Sequence, residues 1–82
     1  MTITVLSKDN CVQCNATYRR LDSTKVEYGV EDIYENLDVI QPLGYMAAPV
    51  VLVRDADGEL VDHWAGFRPD KIEALAEQAK AA

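Results

Sequence analysis

Apolar and polar positions in the first part of the chain follow two different periods. Residues 2–6 are apolar or β-branched throughout, which predicts a buried strand. Between residues 12 and about 24, apolar side chains recur at helical spacing, which predicts a helix. Residues 26–33 alternate apolar with polar side chains, which predicts a second strand. The chain is therefore predicted to begin as strand, helix, strand.

A short helix is predicted in the middle of the chain, over residues 35–40. Leu37 and Ile40 lie three positions apart, so we expect both to face inward from this helix. Pro42 is expected to end the helix, because proline has no amide donor and disfavours helix in the residue before it.

The last part of the chain predicts a hairpin and then a helix. Residues 50–53 are all apolar and predict a buried strand, and residues 60–64 predict its partner. The D-A-D-G segment between them is typical of a turn, in which Gly58 is free to take a positive φ. Pro69 suits the first position of the final helix. The apolar stripe predicted for that helix consists of Ile72, Leu75, Ala76 and Ala79.

The predicted order β-α-β-α-β-β-α is typical of the thioredoxin fold. In this α/β arrangement a four-stranded mixed sheet is flanked by three helices. The chain has 82 residues, of which 49% are hydrophobic, which is enough for one small core. We therefore predict a single thioredoxin-fold domain over residues 1–82.

The charge of the chain limits its partners and its location. A formal net charge of −6 argues against nucleic acid and anionic membranes as partners. No signal peptide or apolar run long enough to cross a membrane is apparent, so we expect a soluble, cytoplasmic protein. We also expect it to be a monomer. Four of the six charged residues in 1–25 are basic, whereas all five in 26–53 are acidic. The end of the chain that holds the cysteines is thus expected to be locally basic.

Cys11 and Cys14 are the only cysteines, and they form a C-x-x-C motif where the first loop meets the first helix. The N-terminal end of a helix favours thiolate, the reactive form of cysteine. Residues three apart share a helix face, so the two sulfurs can form a disulfide. Such a bond closes too short a loop to restrict the unfolded chain much, which favours a reversible role over a structural one. C-x-x-C after the first strand of a βαβ unit indicates redox chemistry.

Other chemistries have less support in the sequence. Zinc sites take about four ligands, whereas this chain offers two cysteines and a distant His63, so a metal site would need a second chain. His63 is predicted to be a strand residue without chemistry. No Ser-His-Asp set or phosphate-binding glycine loop is apparent, so hydrolysis and nucleotide binding are not indicated. We expect no bound cofactor, because the thiols themselves carry electrons.

Four segments of the chain together resemble the NrdH-redoxins, which are small glutaredoxin-like proteins, and the actinobacterial members above all. The segments are Cys11-Val12-Gln13-Cys14-Asn15-Ala16-Thr17, Leu43-Gly44-Tyr45, Ala48-Pro49-Val50-Val51 and Trp64-Ala65-Gly66-Phe67-Arg68-Pro69. Two features depart from the family: Ala65 replaces the usual serine, and the segment 32–43 is shorter than expected. Neither departure affects the cysteines.

The resemblance implies a function and a pair of partners. NrdH-redoxins carry electrons to class Ib ribonucleotide reductase and are reduced by thioredoxin reductase, with NADPH as the ultimate donor. Cys11 is our candidate nucleophile, because it comes first and lies nearer the exposed loop. Cys14 would then resolve the mixed disulfide that Cys11 forms with a partner.

The resemblance also implies roles for residues around the cysteines. Pro49 resembles the cis-proline that faces the cysteine pair in thioredoxin folds. Trp64 and Arg68 are expected to stack across a Gly66 turn and to obstruct a glutathione position, although Trp64 would serve equally as core. The full set of expected partner-binding residues is Lys8, Val12, Gln13, Ala48, Pro49, Trp64, Gly66, Phe67 and Arg68.

Three residues outside the cysteine pair have two open interpretations. Lys8 either favours the thiolate and attracts an acidic partner or is an ordinary solvated lysine. Tyr45 and Met46 either form an apolar docking surface or belong to the core.

Two other functions remain open at this point. The first is a glutathione- or mycothiol-dependent glutaredoxin on the same fold, which would act through one thiol and stay active in a Cys14→Ser variant. The second is a metal-binding module, in which the cysteines of two chains share zinc or an iron–sulfur cluster.

Overall fold

The computed structural model describes the backbone of residues 1–81 and the side chains through residue 79. Within that part, no helix is long and apolar enough to cross a membrane. The strands and helices are β1 (Thr2–Ser7), α1 (Val12–Thr24), β2 (Gly29–Asp32), α2 (Leu37–Ile40), β3 (Val50–Arg54), β4 (Leu60–Ala65) and α3 (Pro69–Ala81). This order is the predicted β-α-β-α-β-β-α.

Four strands form a mixed sheet in the order β2-β1-β3-β4. β1 pairs in parallel with β2 and antiparallel with β3, and β3 and β4 form the predicted antiparallel hairpin. Gly58 takes a positive φ of 82° in the hairpin turn, as predicted. The thioredoxin fold is therefore confirmed.

The sheet is covered on both faces because successive strand residues point to opposite sides. On one face, strand residues such as Val5 and Val51 pack against Leu21 of α1 and Ile72 of α3. On the other face, Leu6, Val50 and Leu52 pack against Ile33 and Ile40 of the segment that precedes β3. The two inner strands, β1 and β3, are consequently the most buried elements of the sheet.

β2 is shorter than the predicted strand over residues 26–33, and its four residues are exposed. Val26 and Tyr28 precede β2 and are not part of the strand. Their side chains pack against the core, and contacts with α1 hold this segment where strand pairing was expected. The Tyr28 ring stacks on Tyr18, and its hydroxyl donates a hydrogen bond to Asp22. Burial, followed by that hydrogen bond, raises the pKa of Tyr28 to about 12.

The middle helix is also shorter than predicted. α2 is a single turn between two short 3-10 helices, Ile33–Glu35 and Gln41–Leu43. Ile40 is 1% exposed, as predicted, but Leu37 is 41% exposed, so its predicted inward orientation is wrong. Ile33, from the preceding 3-10 helix, joins Ile40 in the core. α2 ends before Pro42, as expected.

α3 buries three of its four predicted stripe residues, Ile72, Leu75 and Ala76. The prediction for Ala79 is wrong, because its side chain is exposed. Ala79 lies one turn beyond Leu75, the last α3 residue in the core cluster on this face of the sheet.

Replacing Leu21 with alanine tests the core between α1 and the sheet. Leu21 is fully buried, so Leu21→Ala should lower the free energy of unfolding by about 2–5 kcal/mol. The matched Leu37→Ala variant should cost less than about 1 kcal/mol, because Leu37 is partly exposed. Urea denaturation followed by circular dichroism measures both values. Equal losses would show that the burial of Leu21 does not stabilise the fold as described.

Candidate active site

The two cysteines lie at the junction between the loop after β1 and the N-terminus of α1. A disulfide joins them, with their Cα atoms 5.2 Å apart. Cys11 is the N-cap of α1, and its Sγ accepts a hydrogen bond from the Cys14 N–H at 3.1 Å. Asn10, just before the pair, takes a left-handed conformation with a φ of 56°, which reverses the chain into the helix.

The environment of Cys11 favours negative charge on sulfur. The first turn of α1 holds no acidic residue that would oppose the positive end of the helix dipole. In the reduced protein, the amide that donates to Cys11 Sγ would stabilise a thiolate at the same place. Cys11 is 6% exposed and Cys14 is 1% exposed, so Cys11 is the more accessible of the two.

The Ala48–Pro49 peptide bond is cis, as the family resemblance implied. The carbonyl oxygen of Pro49 accepts a hydrogen bond from the Gly66 N–H at 2.8 Å. Gly66 has a φ of +80°, a conformation that glycine adopts without strain. The turn after β4 is thus attached to the start of β3.

Gln13, between the cysteines, makes a contact that the sequence analysis missed. Its Oε1 accepts a hydrogen bond from the Phe67 N–H at 3.1 Å. We expected its amide to serve a docked partner, but its oxygen already has a partner within the chain. The two residues are 54 positions apart, and no local pattern signals such a contact.

The predicted stack of Arg68 on Trp64 is wrong. Arg68 instead makes two hydrogen bonds to the Asp70 carboxylate, at 3.0 and 2.7 Å. These bonds hold the pKa of Asp70 below its usual value and raise the pKa of Arg68. The cation over the Trp64 ring is Lys71 of α3, 5.5 Å from the ring centroid.

Trp64 is a core residue, so its predicted contact with a partner is also wrong. Its side chain is 3% exposed and belongs to the cluster under α1 and α3. The alternation of β4 directs it to that face, where Lys71 reaches the ring and also pairs with Asp62 at 3.2 Å. Trp64 Nε1 has no hydrogen-bond partner among the described residues.

A groove of about 630 Å³ opens beside Cys11. Its lining residues are Ser7, Lys8, Asp9, Asn10, Cys11, Asn15, Tyr18, Val30, Glu31, Asp32 and Tyr34. Three of them are acidic and one is basic, so the expectation of a locally basic cysteine end is wrong. The reason is the pairing of β2 with β1, which places Glu31 beside Leu6 and Asp32 beside Ser7.

Tyr45 and Met46, which precede the cis-proline, have different surroundings. Met46 is 94% exposed and is available for contact. Tyr45 is half-buried, its ring meets the His63 ring edge to face, and its hydroxyl lies 2.8 Å from His63 Nδ1. Val12 and Phe67 add two further exposed apolar side chains in the segments next to the disulfide.

The described residues include no cluster of three or more His, Cys, Asp or Glu side chains that could hold a metal ion. The Cys11–Cys14 pair can exchange disulfides with a partner.

Known proteins resemble this chain over most of its length. Residues 3–61 match the family model for glutaredoxin. The glutaredoxin-like protein NrdH of Salmonella typhimurium is 36% identical over 78 residues, which span 92% of this chain and 89% of that protein. The protein of the same name from Escherichia coli K12 is 32% identical over the same shares of the two chains.

Solved structures agree with the sequence relatives. The NrdH-redoxin of Escherichia coli, described as a glutaredoxin-like protein with a thioredoxin-like activity profile, superimposes with a TM-score of 0.77 and 31% identity. The match covers 92% of this chain and 95% of that chain. A thioredoxin of Malassezia sympodialis shares the fold, with a TM-score of 0.68 and 20% identity over 94% of this chain and 72% of that chain.

Alkylation of the reduced protein tests the difference between the two sulfurs. Cys11 should react with iodoacetamide about tenfold faster than Cys14 or more, because it is more accessible and lies at the helix N-terminus. Peptide mass spectrometry after short exposures measures the two rates. A Cys14→Ser variant should keep the fast reaction and a Cys11→Ser variant should lose it; similar rates for both cysteines would contradict the assigned environment.

Proposed function

This chain belongs to the glutaredoxin family and is a thiol–disulfide oxidoreductase of the NrdH-redoxin type, and on that premise we propose that it carries electrons from NADPH, through thioredoxin reductase, to class Ib ribonucleotide reductase. The observation that carries the proposal is the Cys11–Cys14 disulfide at the N-terminus of α1, in a chain related to NrdH proteins. The protein would need no bound cofactor for this role.

The proposed reaction proceeds in two exchanges. The Cys11 thiolate attacks one sulfur of a disulfide in ribonucleotide reductase. This forms a mixed disulfide and releases the other sulfur of ribonucleotide reductase as a thiolate. Cys14 loses its proton and attacks Cys11 Sγ, which releases the second partner thiolate and leaves the Cys11–Cys14 disulfide. The partner gains two electrons, and thioredoxin reductase returns two electrons from NADPH to the disulfide.

Two observations favour thioredoxin reductase over glutathione as the electron donor. The Escherichia coli relative is described as having a thioredoxin-like activity profile. In this chain, the Phe67 N–H beside the disulfide is already bonded to Gln13, which leaves one donor fewer for the carboxylates of a small thiol. The glutaredoxin alternative is tested by the first experiment below.

We propose that partners dock on the apolar side chains next to the disulfide. Three exposed apolar side chains lie in the segments next to the disulfide. Val12 follows Cys11, Met46 lies three residues before the cis-proline, and Phe67 follows Gly66. Ala48, which is followed by the fully buried Pro49, would offer its backbone to a docked chain beside Cys11, and Lys8 would meet the polar groups of that chain. A dithiol carrier of this kind works in a reducing compartment, so we propose that the protein is cytoplasmic. We also propose that it acts as a monomer.

The electron donor can be identified by NADPH oxidation with a disulfide acceptor. Turnover should occur with a bacterial thioredoxin reductase and should be at least about tenfold slower with glutathione and glutathione reductase, because the proposed carrier is reduced at its own disulfide. The reverse preference would replace the proposed role with that of a glutathione-dependent glutaredoxin.

Cysteine variants serve as controls in the same assay. Cys11→Ser should abolish turnover. When the reduced Cys14→Ser variant is mixed separately with ribonucleotide reductase, mixed disulfides between the two proteins should accumulate and be detectable on non-reducing gels, because the resolving thiol is absent. Continued turnover by Cys14→Ser would contradict the dithiol scheme.

Lys8 is expected to attract an acidic partner. The side chain is exposed and forms no ion pair with another described residue. Lys8→Ala should slow partner reduction by about two- to fivefold at low salt and by less at high salt, where ions screen long-range attraction.

The matched control for Lys8→Ala removes another exposed charge from the same region. Arg19 lies on α1, about 12 Å along the helix axis from Cys11. Arg19→Ala should change the reduction rate little at either salt concentration. If Lys8→Ala has the same effect at low and high salt, Lys8 does not act through long-range attraction.

A further inference from the structure

A small pocket lies beside the segment that leads into the cis-proline, and we call it the α2 pocket. Its volume is about 70 Å³, which exceeds the roughly 30 Å³ that one water molecule occupies in the liquid. Lys8 lines this pocket and also lines the groove, as does Tyr34, so these two residues separate the two depressions. The other residues that line the α2 pocket are Ile33, Leu37, Met46, Ala47 and Ala48.

The α2 pocket differs from the groove in its chemistry. Three carboxylates line the groove. Among the described residues that line the α2 pocket, Lys8 is the one that carries a charge, and most of the others are apolar. An aliphatic group that enters the pocket would therefore bury apolar surface without removing a carboxylate from water.

Leu37, which was predicted to face inward, lines the α2 pocket instead. Ile33 and Ile40 belong to the core cluster on this face of the sheet, and Leu37 is left 41% exposed. Tyr34 is 65% exposed and Met46 is 94% exposed. Large apolar side chains that expose this much surface around one depression indicate a surface that a partner covers.

The α2 pocket begins at the backbone that a docked chain would contact. Ala48 lines the pocket and directly precedes the cis-proline, and its backbone makes no hydrogen bond to another described residue. An extended chain that pairs with such a backbone gains affinity from main-chain hydrogen bonds and specificity from pockets for alternate side chains.

Strand geometry fixes which side chain of the docked chain would reach the pocket. Successive side chains of an extended chain point to opposite faces, so residues two positions apart point to the same face. When the cysteine of the docked chain faces Cys11, the residue two positions away therefore also faces this protein. The α2 pocket lies beside Ala48 to receive that side chain.

We infer that the α2 pocket is a specificity pocket for an aliphatic side chain of the substrate protein, two positions from the cysteine that forms the mixed disulfide with Cys11. The inference rests on the proposed function, because Lys8, Met46 and Ala48 of the proposed docking surface also line the pocket. The pocket selects among protein disulfides by the residue near the cysteine and takes no part in sulfur exchange itself.

Reduction of short peptide disulfides tests this preference. The probes are symmetric disulfide-linked dimers of a peptide that has one cysteine and has leucine or asparagine two positions before or after it. Leucine and asparagine are close in size, so the comparison isolates apolar character. The protein is reduced with dithiothreitol, separated from the reagent and mixed with each probe, and the released peptide thiol is quantified by chromatography. Reduction of the same probes by free dithiothreitol gives the intrinsic reactivity of each disulfide.

The readout is the ratio of the leucine rate constant to the asparagine rate constant, corrected for intrinsic reactivity. In one of the two positions, the wild-type ratio should be at least about fivefold, because the leucine side chain leaves water on binding. An effect on folding or on thiol reactivity alters both rate constants together and cancels in the ratio.

Variants of Leu37 show whether the α2 pocket is the source of the preference. Leu37→Asn should lower the ratio to below about twofold, whereas Leu37→Met should keep it because methionine is also apolar. Val61→Asn is the matched control and should keep the wild-type ratio. Val61 is 59% exposed and lies near the end of β4 that is farther from the cis-proline.

The position of the leucine can be measured in a trapped complex. Cys11 of the reduced Cys14→Ser variant attacks one sulfur of the probe, releases one peptide as a thiolate and retains the other as a mixed disulfide. In NMR spectra of this complex, nuclear Overhauser effects should connect the methyl groups of the peptide leucine with those of Leu37 and Met46. None should connect them with Val30, which lines the groove.

Three outcomes would overturn the inference. They are equal corrected rate constants for leucine and asparagine in both positions, a preference that Leu37→Asn leaves unchanged, and leucine contacts with Val30 in place of Leu37. Failure of the proposed function looks different, because the wild-type protein would then show no turnover with thioredoxin reductase. Reduction of the probes by the dithiothreitol-reduced protein would remain measurable, since it needs no reductase.

Discussion

The active site depends on the pairing of β1 with a strand on each side. β3 runs antiparallel to β1, so the end of β1 at Leu6 lies opposite the beginning of β3 at Val50. The loop that leads to Cys11 therefore starts beside the peptide bond that ends at Pro49. Parallel pairing with β2 brings a third strand terminus, at Asp32, to the same end of the sheet. The cysteines, the cis-proline and the groove therefore lie together at this end of the sheet, because three strand termini meet there.

The chemistry at this end of the sheet depends on residues near Cys11 in the sequence and on residues far from it. The first turn of α1 alone supplies the amide that bonds Cys11 Sγ, so the sulfur environment needs only neighbouring residues. Access to the sulfur depends instead on segments far along the chain. These are the cis-proline, the Gly66–Phe67 turn and the two acidic residues of β2 that line the groove, Glu31 and Asp32. Proteins with the same helix start and different distant segments would share the reaction and differ in substrates.

The parts of the fold that were predicted correctly are those that neighbouring residues determine. The helix predicted from residue 12 to about 24 is α1, and Gly58 takes the positive φ that its turn requires. Errors arose where several nearby residues compete for one place in the tertiary structure. Lys71 lies over the Trp64 ring, whereas Arg68, the expected cation, bonds to Asp70 two residues further along the chain. The Gln13–Phe67 bond joins residues 54 positions apart, so only the folded chain reveals it.

The exposed edge strand β2 has a consequence for how the protein behaves in a crowded solution. A free strand edge can recruit another extended chain and start aggregation. β2 is only four residues long, and its last two, Glu31 and Asp32, are carboxylates that would repel a second copy of the same edge. The two carboxylates that line the groove therefore also discourage self-association through strand addition, even when many copies of the protein are present.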